Sequence, residues 1–313
     1  MELITVIIPV YNSEQTAKRC LDSVVGQSYP QLEILIINDG SSDRTLEICE
    51  SYAEEESRIK IFSQENRGVS AARNLGIKNA SGKYLAFVDA DDYIENDMMQ
   101  CLYQLFQKES EVDLAICNYD MIIGGEKKNS GVRCEPDMGQ EQAMCSLFGP
   151  RAVKGYLCTK LFRTDLIRKY KIGLDETIYM SEDLLFCCQY GLHIRKAQYM
   201  EKPKYHYVIN ANGATWGRYT SKQFTAFYAF QKMRKLVKGL ENPKVERAVE
   251  EECVVTCIQL VKKVFKKYRS FRVKEMQELM EEIRCAGWSL LSSGWNWKYK
   301  VAYIPVKMIS HLY

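Results

Sequence analysis

Across the first 120 residues, short β-branched apolar runs alternate with amphipathic stretches, and this alternation most constrains what the chain can fold into. The pattern predicts strands over Leu3 to Pro9, Leu32 to Asn38, Arg58 to Phe62, Tyr84 to Val88 and Val112 to Tyr119. Helices are expected from a cap at Ser13 to about Val25, then over Leu46 to Glu55, Val69 to Lys78 and Asp97 to Lys108. Such a sequence builds an α/β, Rossmann-like domain with a mostly parallel sheet covered on both faces. From Met121 to about Tyr156 the order loosens into a loop or hairpin, with a short helix near Gln140–Phe148. Helices over Thr164–Tyr170 and Glu182–Tyr190 and a strand over Tyr199–Ile209 follow. Beyond Gly217 only helical spacing remains, over Ser221–Lys238, Lys244–Tyr268 and Val273–Ala286. The expected parts are therefore 1–120, 121–216 and a helical 217–313.

The strand Tyr84–Val88 runs straight into Asp89, Asp91 and Asp92. In open α/β sheets, ligands bind beyond the carboxyl ends of the strands. Clustered acids there repel unless a cation joins them, and hard divalent ions prefer oxygen ligands. Mg²⁺ or Mn²⁺ holding a diphosphate fits that chemistry. The plainer alternative is a polar turn in which Asp92 caps the next helix.

Composition narrows the field. A net charge of +3 on 313 residues gives no reason to expect nucleic acid. No apolar stretch approaches the roughly 20 residues that span a bilayer. The first residues read as a strand without the basic segment of a signal peptide, so twelve cysteines are expected as reduced, mostly core thiols in a cytoplasmic protein. Cys253 and Cys257 could share a zinc by spacing, but they sit in a helical pattern and are read as core.

Ordered blocks across Ile4 to Tyr207 resemble the family 2 inverting glycosyltransferases with the GT-A fold. These are Val6-Ile7-Ile8-Pro9-Val10-Tyr11-Asn12, Gln27-Ser28-Tyr29-Pro30, Ile36-Ile37-Asn38-Asp39-Gly40-Ser41-Ser42-Asp43, Asn66-Arg67-Gly68-Val69-Ser70-Ala71-Ala72-Arg73-Asn74, Phe87-Val88-Asp89-Ala90-Asp91-Asp92 and Ser181-Glu182-Asp183. The helical tail more loosely resembles those of bacterial capsule, exopolysaccharide and lipopolysaccharide transferases. The resemblance implies donor contacts from Pro9, Tyr11, Asp39, Arg73 and Asp89. It implies metal ligation by Asp91 with Asp89, and a general base at Asp183 assisted by Glu182. His206 falls where some GT-A enzymes place an extra metal or phosphate ligand; a histidine between Tyr205 and Tyr207 can equally be a packing residue. The stretch Asn210 to Trp216 follows the family only loosely.

The implied reaction is metal-dependent, inverting transfer of a hexosyl or N-acetylhexosaminyl group. The donor would be a nucleotide-diphosphate sugar, most simply a UDP-sugar. The acceptor would be a hydroxyl of a growing cell-surface glycan or a lipid-linked saccharide. Two alternatives stay open: a metal-dependent phosphohydrolase or nucleotidyltransferase, since strand-end acids serve phosphoryl transfer too, and a non-catalytic scaffold of a polysaccharide-assembly complex. Acceptor choice is expected in Met121–Gly173 and the tail. From Lys262 to Lys274 there are seven basic residues and no acid, and after Glu282 no acid at all, with Trp288, Trp295, Trp297, Tyr299 and Tyr303 interspersed. That mixture suits peripheral contact with the inner face of the plasma membrane, or a tail packed on the catalytic part.

Overall fold

Ile4–Val10 and Leu32–Asn38 are buried at every position, the signature of central parallel strands covered on both sides. The computed structural model describes residues 1–149, 151–209, 219–288, 291 and 297–311. It opens β1 (Ile4–Val10), α1 (Ala17–Val25), β2 (Leu32–Asn38), α2 (Thr45–Glu55), β3 (Ile59–Ser63), α3 (Val69–Asn79) and β4 (Tyr84–Phe87). Next come β5 (Tyr93–Ile94), α4 (Met98–Lys108), β6 (Val112–Ile123), β7 (Glu126–Asn129), β8 (Asp137–Gly139) and α5 (Gln140–Cys145). Then follow β9 (Lys160–Arg163), α6 (Thr164–Lys169), α7 (Glu182–Gly191) and β10 (Lys196–Val208). The chain closes with α8 (Ser221–Lys238), α9 (Pro243–Tyr268), α10 (Lys274–Cys285) and α11 (Trp297–Ser310).

The main sheet runs β3-β2-β1-β4-β9-β6-β10-β5. β3, β2, β1 and β4 pair in parallel, as do β6 and β10. β9 pairs antiparallel with both β4 and β6, so those two share one direction. Only β9 and the two-residue β5 oppose the rest of this path. The short strands β5, β8 and β9 and the last helix, α11, were not expected from sequence. The helix near Gln140 stops at Cys145, and Asp92 does not cap α4, whose N-cap position is Asp97.

Alternation along β1 sends Ile4, Val6, Ile8 and Val10 to one core and Ile7 to the other. The first core lies under α1 and α4. The second runs from Ile7 and Phe87 through Phe186 of α7 to Val249, Cys257 and Ile283 of the tail. Cys253 and Cys257 are buried there, and all twelve cysteines are free thiols. Glu252 of α9 ties the tail to the loop that precedes β9: it accepts the Gly149 amide at 3.0 Å and the Lys154 ammonium at 3.3 Å. No helix is long and apolar enough to cross a membrane among the described residues. The stretch Asn210–Trp216 and Trp295 lie outside those residues.

Candidate active site

Connections from β1 run to β2 and β3 on one side and to β4 on the other, so the sheet's switch point lies between β1 and β4. Tyr11 follows β1 there, half exposed, and Pro9 is buried within the strand. Asp39, just past β2, is buried. Its Oδ1 accepts from Gln64 Nε2 at 2.7 Å and the Arg67 amide at 2.9 Å, and its Oδ2 accepts from the Gly68 amide at 2.8 Å. A carboxylate offers about four acceptor sites, so one remains for a ligand. Gly68 holds φ +91°, a left-handed conformation that glycine adopts without a Cβ penalty, and it starts α3. Asp39 therefore also sets the loop that aims α3 at the cleft.

Beyond β4, Asp89, Asp91 and Asp92 have three different environments. Asp92 is buried, accepting the Tyr205 hydroxyl at 2.6 Å and the Val208 amide at 2.7 Å. Burial, then the charges of Asp89 and Asp91, push its carboxyl up to about 8. Asp91 reaches solvent, with no hydrogen-bonding side chain beside its carboxylate among the described residues. Its carboxyl is nevertheless raised above the ordinary range, first by the desolvating walls around it and then by Asp89. Asp89 is claimed by Arg73 Nη2 at 2.7 Å.

Arg73 sits one turn into α3, buried, and also reaches Glu182 Oε1 at 3.4 Å. Its guanidinium bridges the strand-end acids and the second acidic pair, and the charges of Asp89 and Glu182 hold its pKa above the usual arginine range despite burial. Ser181, in the left-handed region at φ +66°, starts α7 and brings Glu182 and Asp183 into its first turn. Acids are favoured at a helix N-terminus. Burial raises both carboxyls, and Asp183 raises Glu182 further, while Arg73 pulls both down. The pair therefore holds a proton more readily than isolated acids.

Two residues with no sequence signal shape this site. Lys160, fully buried at the start of β9, donates to the carbonyls of Lys154 and Tyr156, each at 2.8 Å. Its charge favours the ionised form of Asp183. Gly155 packs so closely on α7 that an added Cβ would lie 2.2 Å from Leu184 Cα. The held loop presents Tyr156, whose ring lies nearly parallel to Tyr207 at 6.1 Å and edge-on to Tyr119 at 5.5 Å. A lysine inside the apolar run Leu157–Phe162 gives no hint that it grips a loop. Arg19 of α1 was also not singled out; it donates to the Asp91 carbonyl and lies over the Tyr93 ring.

His206 does not join the strand-end acids. Tyr205 and Tyr207 face Asp92 and Tyr156, so strand alternation turns His206 to the opposite side. There Nε2 pairs with Glu95 at 2.8 Å and the ring lies over Tyr93 at 4.5 Å. No three His, Cys, Asp or Glu side chains converge as a metal cage among the described residues.

The fold and this cleft define a GT-A glycosyltransferase, and the comparisons agree. The model of Glycosyl transferase family 2 matches residues 5–170. EpsH of Bacillus subtilis (strain 168), named as a glycosyltransferase, is 33% identical over 257 residues, 79% of this chain and 72% of EpsH. EpsJ of the same organism, also named as a glycosyltransferase, is 30% identical over 242 residues, 73% of this chain and 69% of EpsJ. The crystal structure of S. aureus TarS 1–349 in complex with UDP-GlcNAc aligns with TM-score 0.72 at 19% identity, covering 99% of this chain and 92% of that one. The mannosyltransferase PcManGT from Pyrobaculum calidifontis, solved with GDP-Man and Mn²⁺, aligns with TM-score 0.57 at 14% identity, covering 100% and 87%. This chain belongs to glycosyl transferase family 2.

Proposed function

We propose that the chain moves a hexosyl or N-acetylhexosaminyl group from a UDP-sugar to an acceptor hydroxyl, with inversion and with the help of Mn²⁺ or Mg²⁺. The acceptor is a growing cell-surface glycan or a lipid-linked saccharide, met at the inner face of the plasma membrane. The observation that carries this reading is the Arg73 bridge, which joins an open acid cluster suited to a metal-bound diphosphate to a largely enclosed acid pair suited to proton transfer.

Pro9, Tyr11 and Asp39 form the nucleotide end. Tyr11 offers an exposed aromatic face to a base, and the spare acceptor site of Asp39 suits an imide N–H. Asp91 and the free oxygen of Asp89 are hard donors at a strand end, enough to hold Mg²⁺ or Mn²⁺ together with phosphate oxygens. A bound divalent ion would neutralise charge growing on the leaving diphosphate. Arg73 reinforces that counter-charge from the protein side. His206, turned away beside Glu95, supports packing better than ligation. Asp183 takes the acceptor's proton, since a base of raised pKa is matched to neutral pH; Glu182 orients it. Tyr156 and Tyr207 offer flat apolar faces for the acceptor sugar.

The test is a thermal-shift panel of nucleotide sugars with and without Mn²⁺, followed by turnover of the best donor. Ligand binding to the native state raises its melting point. UDP-sugars should shift it most, and the product should carry the inverted anomer. Release of sugar phosphate or nucleoside monophosphate would show attack at phosphorus and replace this reading.

A further inference from the structure

Helix α11, Trp-Lys-Tyr-Lys-Val-Ala-Tyr-Ile-Pro-Val-Lys-Met-Ile-Ser, is apolar on two opposite sides. One side is docked. Tyr303, Lys307 and Ser310 are buried, and the Tyr299 hydroxyl accepts from Gln259 of α9 at 2.7 Å. Lys307 fixes the orientation: its ammonium donates to the carbonyls of Ile283, Arg284 and Ala286 at the C-terminal end of α10. A cation there also meets the negative end of the helix dipole.

The other side faces outward. Trp297, Val301, Ile304 and Met308 recur at spacings of four, three and four, and are 67%, 59%, 43% and 63% exposed. Trp288, half exposed, meets the buried Tyr303 edge-on at 5.9 Å, on the docked side. A helix that is apolar all round is ordinarily enclosed, and a continuous outward stripe of large apolar residues marks a contact site. One and two turns along α9 from Gln259, which touches Tyr299 of α11, Lys262 and Lys266 are exposed, with Arg269 at the C-cap, none of them in an ion pair among the described residues.

We infer that the outer stripe of α11, together with the exposed basic residues of the neighbouring α9, is a bilayer-contact surface selective for anionic lipid. Charge decides between occupants. Two copies meeting through this face would bring like-charged residues together, whereas an anionic headgroup layer neutralises them while the stripe enters the interface. The inference deepens the peripheral reading proposed above by assigning the surface that makes the contact.

The full chain is floated with phosphatidylglycerol-containing vesicles and with pure phosphatidylcholine vesicles, at low and high salt. Wild type should bind the anionic vesicles at least tenfold better, with the advantage lost in high salt. Trp297→Gln, Val301→Gln, Ile304→Gln and Met308→Gln combined should abolish binding while the melting point holds, because these side chains support no core. Lys262→Glu with Lys266→Glu should remove only the anionic preference. If wild type does not float, the peripheral reading and this surface fall together. If it floats and the fourfold variant floats equally, only the assignment to α11 is overturned. A dimer that the fourfold variant breaks, without vesicle binding by wild type, would instead make this face a self-interface.

Discussion

At the end of β4, Asp91 is exposed and has no side-chain partner among the described residues. At the start of α7, Glu182 and Asp183 are largely enclosed, beside Arg73 and Lys160. Both regions crowd carboxylates, and Asp91 and Asp92 in one and Glu182 and Asp183 in the other have raised pKa values, yet their counter-charge differs in origin. The α7 pair has internal cations, so its charge is met by the protein and one oxygen can stay available for a proton. The β4 cluster has the share of Arg73 that Asp89 takes and the nearby charge of Arg19, while the Asp91 carboxylate keeps no hydrogen-bonding side chain among the described residues. In the function proposed above, the β4 cluster receives a mobile ion and the α7 pair is fixed equipment.

The comparison breaks most completely at Arg73, which serves both sides. Arg73→Met leaves Asp89 and Glu182 facing each other without their cation, and losing one partner of a buried pair costs about 3–5 kcal/mol. Urea titration should show that loss, and transfer should be undetectable. A stable, active Arg73→Met protein would mean that the two clusters are independent.

Next in size is Asp183→Asn. It should leave UDP-sugar affinity near wild type and slow transfer by about 10²–10⁴-fold, with Glu182→Gln doing less. Single-turnover rates beside calorimetric binding separate the two effects. Asp91→Asn should show the converse, losing donor affinity in Mn²⁺ by at least the ~10–100-fold that even outer-shell changes cost. Equal calorimetric affinity for mutant and wild type would take Asp91 out of the metal site.

The smallest effect sharpens the contrast through pH. Asp92 is pushed up to about 8 when folded and titrates near the ordinary carboxylate range when unfolded. The folded state therefore holds a proton that the unfolded state has released. The stability from this group is fully present below about pH 4 and is lost as pH rises toward 8. Asp92→Asn stays neutral and should flatten that slope, read as melting temperature against pH in chelated buffer. Parallel curves for mutant and wild type would show that Asp92 is ionised in the fold.

The first four strands and their helices were legible because hydrophobic runs of that length can be buried in few ways. β9 was not: four residues that include a lysine carry no period, and only the sheet shows that they fill the gap between β4 and β6. α11 escaped notice because its apolar residues lie on two sides and Pro305 interrupts the pattern. At the site, the sequence singled out Asp39, Arg73, Asp89, Asp91 and Asp183 by residue type and order. It could not show that Arg73 spans two clusters 109 and 16 residues away in the chain. Nor could it orient His206, since a one-residue change of strand register exchanges the two faces.

The Glu252 clamp bears on how such chains can be recombined. One carboxylate of α9 steadies both Gly149 and Lys154, and the segment between them leads to Gly155 and Tyr156 at the cleft. The tail is thus a mould for the loop that carries Tyr156 and not a detachable appendage. Chimaeras that splice residues 219–311 from a relative onto this catalytic part should inherit acceptor preference from the grafted half. They should work only when the graft brings an acid to position 252.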